Sequence, residues 1–181
     1  QELRRDFDAV YIAIGAHDEK TLGLEGENAE GVLSAVEMLR AIGDGFLHHF
    51  EGQRIVVVGG GNVAMDVART SMRLGAESVQ VVYRRRVEDM TAQAEEIEGA
   101  IAEGCEICEL MAPVRIVTED ERVVGLEVQP QVIGAVDRGR PKPVKAARPT
   151  EVIPCDRVLM AVGQAVGAAA LDAGDLPVEW G

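Results

Sequence analysis

The stretch Ile55-Val56-Val57-Val58-Gly59-Gly60-Gly61-Asn62-Val63-Ala64 decides how this chain is read. A four-residue apolar run followed at once by three glycines, and then by residues that can start a helix, describes a strand feeding a tight turn into a helix N-terminus. Gly59 makes the turn, Gly61 lacks the Cβ that would keep an anion away from the backbone, and small Ala64 lets the helix lie close to the strand. The first N–H groups and the positive dipole end of that helix then form an anion site. Glycine-rich turns also serve purely structural needs, so the pattern takes its meaning from residues 64–83. Ala64, Val67, Ala68, Ser71 and Leu74 fall at helical spacing, Gly75 stands at a helix C′ position, and residues 79–83 read as a second strand. Such a strand, helix and strand have the length of a dinucleotide-binding crossover.

The end of the second strand distinguishes one dinucleotide from another. In NAD sites an acidic residue about twenty positions beyond the glycines accepts hydrogen bonds from the ribose hydroxyls, whereas arginine there accommodates a 2′-phosphate. This chain has Arg84, Arg85 and Arg86, with no carboxylate before them on the strand. Guanidinium forks hold phosphate bidentately. Three adjacent arginines can also be a solvated charge run, but in so acidic a chain a basic cluster at this position points to NADPH.

The 181 residues are 47% hydrophobic and carry 18 Lys plus Arg against 31 Asp plus Glu, a net charge of −13. One domain is expected, large enough for a core. The acidic balance argues against nucleic acid as a partner. No apolar stretch approaches the roughly twenty residues that cross a bilayer, and the start lacks the features of a signal peptide, so no membrane association and a cytoplasmic location are expected. Cys105, Cys108 and Cys155 cannot all pair. Residues 105–110 read as a strand, on which positions three apart face opposite ways with Cα atoms about 10 Å apart, beyond the roughly 7 Å limit of a disulfide. No metal site is expected, since neither a second cysteine pair nor a nearby histidine completes a zinc set. His48 and His49 lack a companion carboxylate or thiol cluster and are read as surface or packing residues.

Residues 8–15 read as an almost wholly apolar strand, followed by a polar, glycine-rich loop over 17–31. Ser34 and Glu37 have capping-box spacing ahead of Val36, Met38, Leu39 and Ile42, which predicts a short helix ended by Gly43, Asp44 and Gly45. After the arginines a helix is expected over about 91–103, with Thr91 as N-cap, Ala94, Ile97 and Ile101 as apolar stripe, and Glu95, Glu96 and Glu98 solvated. Residues 105–110 then supply a third parallel strand, giving a βαβαβ order. Beyond it, short strands over 114–117, 123–128 and 152–153 predict an antiparallel meander laid on the parallel sheet. A Pro-rich basic stretch with Arg138, Arg140, Lys142, Lys145 and Arg148 reads as a surface loop. Residues 156–162 form a last strand ending at Gly163 and Gln164, a match to the ending of residues 8–15. The expected fold is therefore three-layer α/β, a Rossmann-like parallel sheet with an antiparallel meander.

The stretch from Gly59 through Arg69, the stretch Val82-Tyr83-Arg84-Arg85-Arg86 with Met90 and Ala92 beyond it, and the paired endings Ala13-Ile14-Gly15-Ala16 and Ala161-Val162-Gly163-Gln164 together resemble the glutamate synthase small (β) subunit and its relatives. These are flavin oxidoreductases of the pyridine nucleotide–disulfide reductase superfamily. The resemblance covers about residues 8–164, and Thr91 stands where the family usually has proline. It implies an NADPH-binding domain over 1–164, inserted in an FAD-binding domain, with 165–181 a tail toward the FAD-binding part. It further implies hydride transfer from NADPH to FAD, with electrons passing on to iron–sulfur clusters or a large-subunit partner. On this reading the chain is a fragment that binds nucleotide but does not turn over by itself. The expected cofactor-binding residues are Gly59, Gly60, Gly61, Asn62, Val63, Ala64, Arg84, Arg85, Arg86 and Gly163, with no catalytic side chain. The competing functions are a non-catalytic nucleotide-sensing module and a flavin-independent dehydrogenase domain; the latter needs a proton-transfer residue that the sequence does not display.

Overall fold

Along residues 54–58 the side chains alternate between two faces, and each face has its own cover. The computed structural model describes residues 5–13, 15–16, 18–46, 49–137 and 140–165. In chain order it contains β1 (Asp18–Glu19), β2 (Val32–Ser34), α1 (Ala35–Gly43), β3 (Arg54–Val58), α2 (Asn62–Arg73), β4 (Ser78–Tyr83), a 3₁₀ turn (Val87–Asp89) and α3 (Ala94–Ala102). Then come β5 (Glu106–Glu109), β6 (Met111–Glu119), β7 (Arg122–Asp137), β8 (Arg140–Lys145), β9 (Glu151–Pro154), β10 (Arg157–Met160) and β11 (Gln164–Ala165). The chain divides into two units, residues 1–20 with 163–181, and residues 21–162. In the first, β1 pairs antiparallel with β11, and the Lys20 N–H donates to the Gly163 carbonyl at 3.2 Å.

The second unit has three layers. Its middle layer is a parallel sheet in the order β2-β10-β3-β4-β5. Ile55, Val57, Val79, Val81 and Leu159 face the helices and bury Met38, Ala64, Met65, Val67, Ala68, Ile97 and Ala100. Val56, Val58, Val82 and Val158 face the other way, onto Ile116, Val123, Leu126 and Val128 of the antiparallel sheet β6-β7-β8, in which β9 also pairs with β7. A strand covered on both faces has no polar side to show, which is why residues 55–58 are unbroken Ile and Val.

The expected three-layer α/β fold is the one observed, and Ser34 caps α1 by accepting the Glu37 N–H at 3.1 Å. Several local expectations are corrected. Residues 8–13 form no strand, and Val10, Tyr11 and Ile12 are exposed, Tyr11 by 93%. An apolar run becomes a strand only where its backbone finds a ladder, and none of the described residues supplies one. Conversely β2 forms just past the supposed polar loop, because β10 offers it a parallel partner. Part of the Pro-rich basic stretch is also a strand: β8, from Arg140 to Lys145, pairs antiparallel with the extended end of β7, with register pairs Val132↔Val144 and Val136↔Pro141, while Arg148 lies in a bend. As an edge strand it tolerates Pro141 and Pro143, whose missing N–H groups no neighbour requires. The third helix starts at Ala94, three residues later than expected, so Thr91 is not its N-cap. Ile101 is exposed and Ala100 is buried in its place. Glu96 is not simply solvated, for Arg69 reaches it at 2.6 Å and Glu103 at 2.8 Å, tying α2 to α3. His48, Arg138 and the tail from residue 166 lie outside the described residues.

β3 is fastened to β10 at its start. Arg54 donates its backbone N–H and its guanidinium to Asp156, both at 2.8 Å, and the Asp156 N–H returns to the Arg54 carbonyl at 2.9 Å. The hydrogen bond from Arg54 holds the Asp156 carboxyl below its ordinary value of 3.8. A depressed carboxyl stabilises the fold above that ordinary value, and the contribution disappears as pH falls through the lower, folded value. Asp156→Asn is therefore expected to melt below the natural chain at neutral pH, with the gap closing in the acid range below 3.8. Thermal melts across pH check this; a gap that stays constant would remove the carboxylate from the account.

Candidate functional site

Where β3 ends, the chain leaves the sheet through three glycines that do three different things. Gly59 has φ +149°, and a Cβ on it would lie 2.3 Å from the Ala161 carbonyl oxygen, so the position is closed by neighbouring backbone. A Cβ on Gly60 would lie 2.5 Å from the Tyr83 ring. Gly61 is different: the nearest atom to its Cβ position is Thr91 Oγ1 at 3.5 Å. It is the N-cap of α2, with φ −102° and ψ 177°, and no side chain caps the helix.

The helix end is left open to an anion. Ala64 and Met65 donate to the Gly61 carbonyl at 3.0 and 3.3 Å, but the N–H groups of Gly60, Gly61, Asn62 and Val63 have no acceptor among the described residues. Four adjacent donors at a dipole's positive end, with no acidic residue in the first turn, suit phosphate oxygens. The bend is held rigid from one side. The Gly60 carbonyl accepts the N–H groups of Thr91 and Ala92 at 3.0 and 3.1 Å, and Asn62 Oδ1 accepts the Gln93 N–H at 2.9 Å. Tyr83, whose ring backs Gly60, donates its hydroxyl to the Asp89 carbonyl at 3.0 Å. Sequence reasoning did not find these supports, because partners some thirty residues apart leave no local pattern.

The arginines stand on the neighbouring strand at the same end of the sheet. Val58 pairs with Val82, and the Gly59 N–H donates to the Val82 carbonyl at 3.1 Å, so the glycine bend and residues 84–86 leave the sheet side by side. The three guanidiniums are not equivalent. Arg84 is exposed, with no partner among the described residues. Arg85 is half-buried and donates Nε to the Pro141 carbonyl at 3.3 Å. Arg86 is engaged, paired with Asp89 at 2.8 Å and with Glu88. The hydrogen bond from Arg86 holds the Asp89 carboxyl below the usual carboxylate range. Val63 and Ala64 belong to the first turn of α2, Ala64 being fully buried against the sheet, while Gly163, with φ +103°, belongs to the other unit.

The cysteines do not converge. Cys105 joins the core on the helix side of the sheet and Cys108 and Cys155 the core on the meander side. Burial pushes the Cys105 and Cys108 thiols up to about 11 and that of Cys155 up to about 12, which keeps all three protonated at neutral pH. Among the described residues no group of His, Cys, Asp and Glu could hold a metal ion, so these residues do not fit an iron–sulfur cluster. No helix among them is long and apolar enough to cross a membrane.

The family model for pyridine nucleotide-disulphide oxidoreductases matches residues 1–181. The chain belongs to that family. Among its relatives are the NADP(+)-dependent formate dehydrogenase subunit beta of Moorella thermoacetica, 38% identical over 174 residues, and the NADPH-Fe(3+) oxidoreductase subunit beta of Geobacter sulfurreducens, 39% identical over 171. The glutamate synthase [NADPH] small chain of Escherichia coli is 36% identical over 174 residues. These matches cover 94%, 91% and 90% of this chain but 25%, 25% and 37% of the relatives, so this family member spans well under half of each. Mycobacterium tuberculosis FprA in complex with NADPH shares the fold with a TM-score of 0.73 at 21% identity, over 90% of this chain and 51% of that one.

The glycines make separable demands. Gly59→Ala is expected to cost about 2 kcal/mol or more, lowering the melting temperature by about 4–8 °C. Gly61→Ala makes only an ordinary contact with Thr91 Oγ1 at 3.5 Å and should stay within about 1 kcal/mol of the natural chain. Paired thermal melts test this, and equal losses at both positions would contradict the assignment.

Proposed function

We propose that this family member is the NADPH-binding part of a flavin-dependent oxidoreductase resembling the glutamate synthase small subunit. The observation that carries the reading is the juxtaposition of donors without a partner among the described residues: the N–H groups of Gly60 to Val63 at one strand end, and Arg84 at the next. The backbone of Gly60, Gly61, Asn62 and Val63 would hold the pyrophosphate, and Arg84 with Arg85 the 2′-phosphate. Arg86, already paired with Asp89 and Glu88, would support the loop that carries them. Bound NADPH supplies a hydride, and the acceptor on this reading is FAD held by the rest of a longer protein. The contribution of this chain's residues is then position and charge, with no side chain acting as acid or base. Iron–sulfur clusters and a large-subunit electron acceptor would lie outside this chain, in the cytoplasm. The curated relatives named as subunit beta or small chain support a multi-part assembly.

Charge-assisted hydrogen bonds contribute roughly 1.5–3 kcal/mol each. At about 1.4 kcal/mol per tenfold, two of them give NADPH a preference over NADH on the order of a hundredfold or more. Calorimetric titration with both nucleotides is the test. Arg84→Ala with Arg85→Ala should remove the preference while leaving NADH affinity in place, and Gly61→Ala should weaken both nucleotides alike. Unchanged NADPH affinity in the double variant would refute the assignment of the arginines.

A further inference from the structure

Arg85 is the one arginine of the trio whose side chain is fixed by a distant part of the fold. Its Nε donates to the carbonyl of Pro141, 56 positions along, on edge strand β8. Its backbone is fixed as well, since the Leu110 N–H donates to the Arg85 carbonyl at 3.0 Å and the Gln131 N–H to the Leu110 carbonyl at 2.7 Å. Leu110 takes φ +56° to make this link between β5 and β6. β8 thus holds the Arg85 side chain directly, and β7 holds its backbone at one remove, through Leu110. A guanidinium has five donors on three nitrogens in a planar fork, so an arginine anchored through Nε keeps both terminal nitrogens for a phosphate. Arg84 has no such anchor among the described residues.

We infer that the β7–β8 hairpin is a specificity element of the nucleotide site: through the Pro141 carbonyl it preorganises Arg85 for bidentate binding of the 2′-phosphate. The inference rests on the NADPH reading above. Fixing the fork beforehand removes the ordering cost from the binding step, so Arg85 supplies the larger share of the preference for NADPH over NADH, and Arg84, which must be ordered on binding, supplies the smaller share of the 2′-phosphate contact. A lysine can replace a point charge but cannot anchor through one nitrogen and bind through two others.

The test uses the whole 181-residue chain and titrations with NADPH and with NADH. Arg85→Lys should weaken NADPH at least tenfold and leave NADH within twofold, whereas Arg84→Lys should weaken NADPH by no more than about threefold. Replacing residues 134–142 by Asn-Gly, which joins Ile133 to its partner Pro143, removes the Pro141 anchor. In that background Arg85→Lys should cost less than half as much, on a logarithmic scale, as it does with the hairpin intact, since coupled partners are not additive. NADPH binding by Arg85→Lys equal to the natural chain, a larger loss from Arg84→Lys than from Arg85→Lys, or full additivity with the hairpin deletion would each overturn the inference. If the shortened chain fails to fold by circular dichroism, the lysine pair alone decides. Failure of the natural chain to prefer NADPH would instead defeat the underlying reading, a result separate from any of these.

Discussion

The close approach of Gly59 to the Ala161 carbonyl is the constraint on which the rest depends. β3 and β10 are parallel neighbours, and at their common end the chain after β3 must turn away while β10's continuation passes alongside. Only a residue without Cβ, at φ +149°, fits between them. That turn starts α2 directly above the sheet, so Ala64, Met65, Val67 and Ala68 can be buried against Ile55 and Val57. Core packing and the open helix terminus are thus consequences of one backbone contact.

The site is rigid on one side and unsatisfied on the other. Tyr83, Thr91, Ala92 and Gln93 support the back of the bend through the Gly60 carbonyl, the Gly60 Cα and the Asn62 side chain. These supports occupy the Gly60 carbonyl and Asn62 Oδ1, both acceptors, and among the described residues none of the leading N–H donors. A fold that stabilised itself with an acidic N-cap on α2 would gain helix stability at the expense of anion affinity; Gly61 in that place leaves the dipole uncovered. The arginine cluster shows the same division of labour, one member paired within its loop, one anchored by the hairpin and one without a partner among the described residues.

Much of the architecture was legible because it depends on local periodicity. The Ile/Val run, the helical spacing from Ala64 to Leu74 and the Ser34–Glu37 cap are near-neighbour patterns, and they form as read. The failures share one cause, the need for a partner distant in sequence. Residues 9–13 carry a strand's composition without a ladder, while Val32–Ser34 acquires one from β10. Thr91 has the chemistry of an N-cap, but its N–H donates to Gly60, 31 positions earlier, and the helix starts later. Pro141 and Pro143 look like loop residues until an edge strand makes their missing donors harmless.

From the sequence alone came the three-layer α/β class, the glycine turn into a helix N-terminus and the placement of three arginines at the end of the next strand, because spacing along one chain determines these. Only the tertiary structure decided which donors stay free: that the amides from Gly60 to Val63 find no acceptor among the described residues, that Arg86 is consumed by Asp89 and Glu88, and that Arg85 is held from the hairpin. A side chain's capacity to bind is what remains after its neighbours have taken their share, and those neighbours are brought together by folding rather than by sequence order.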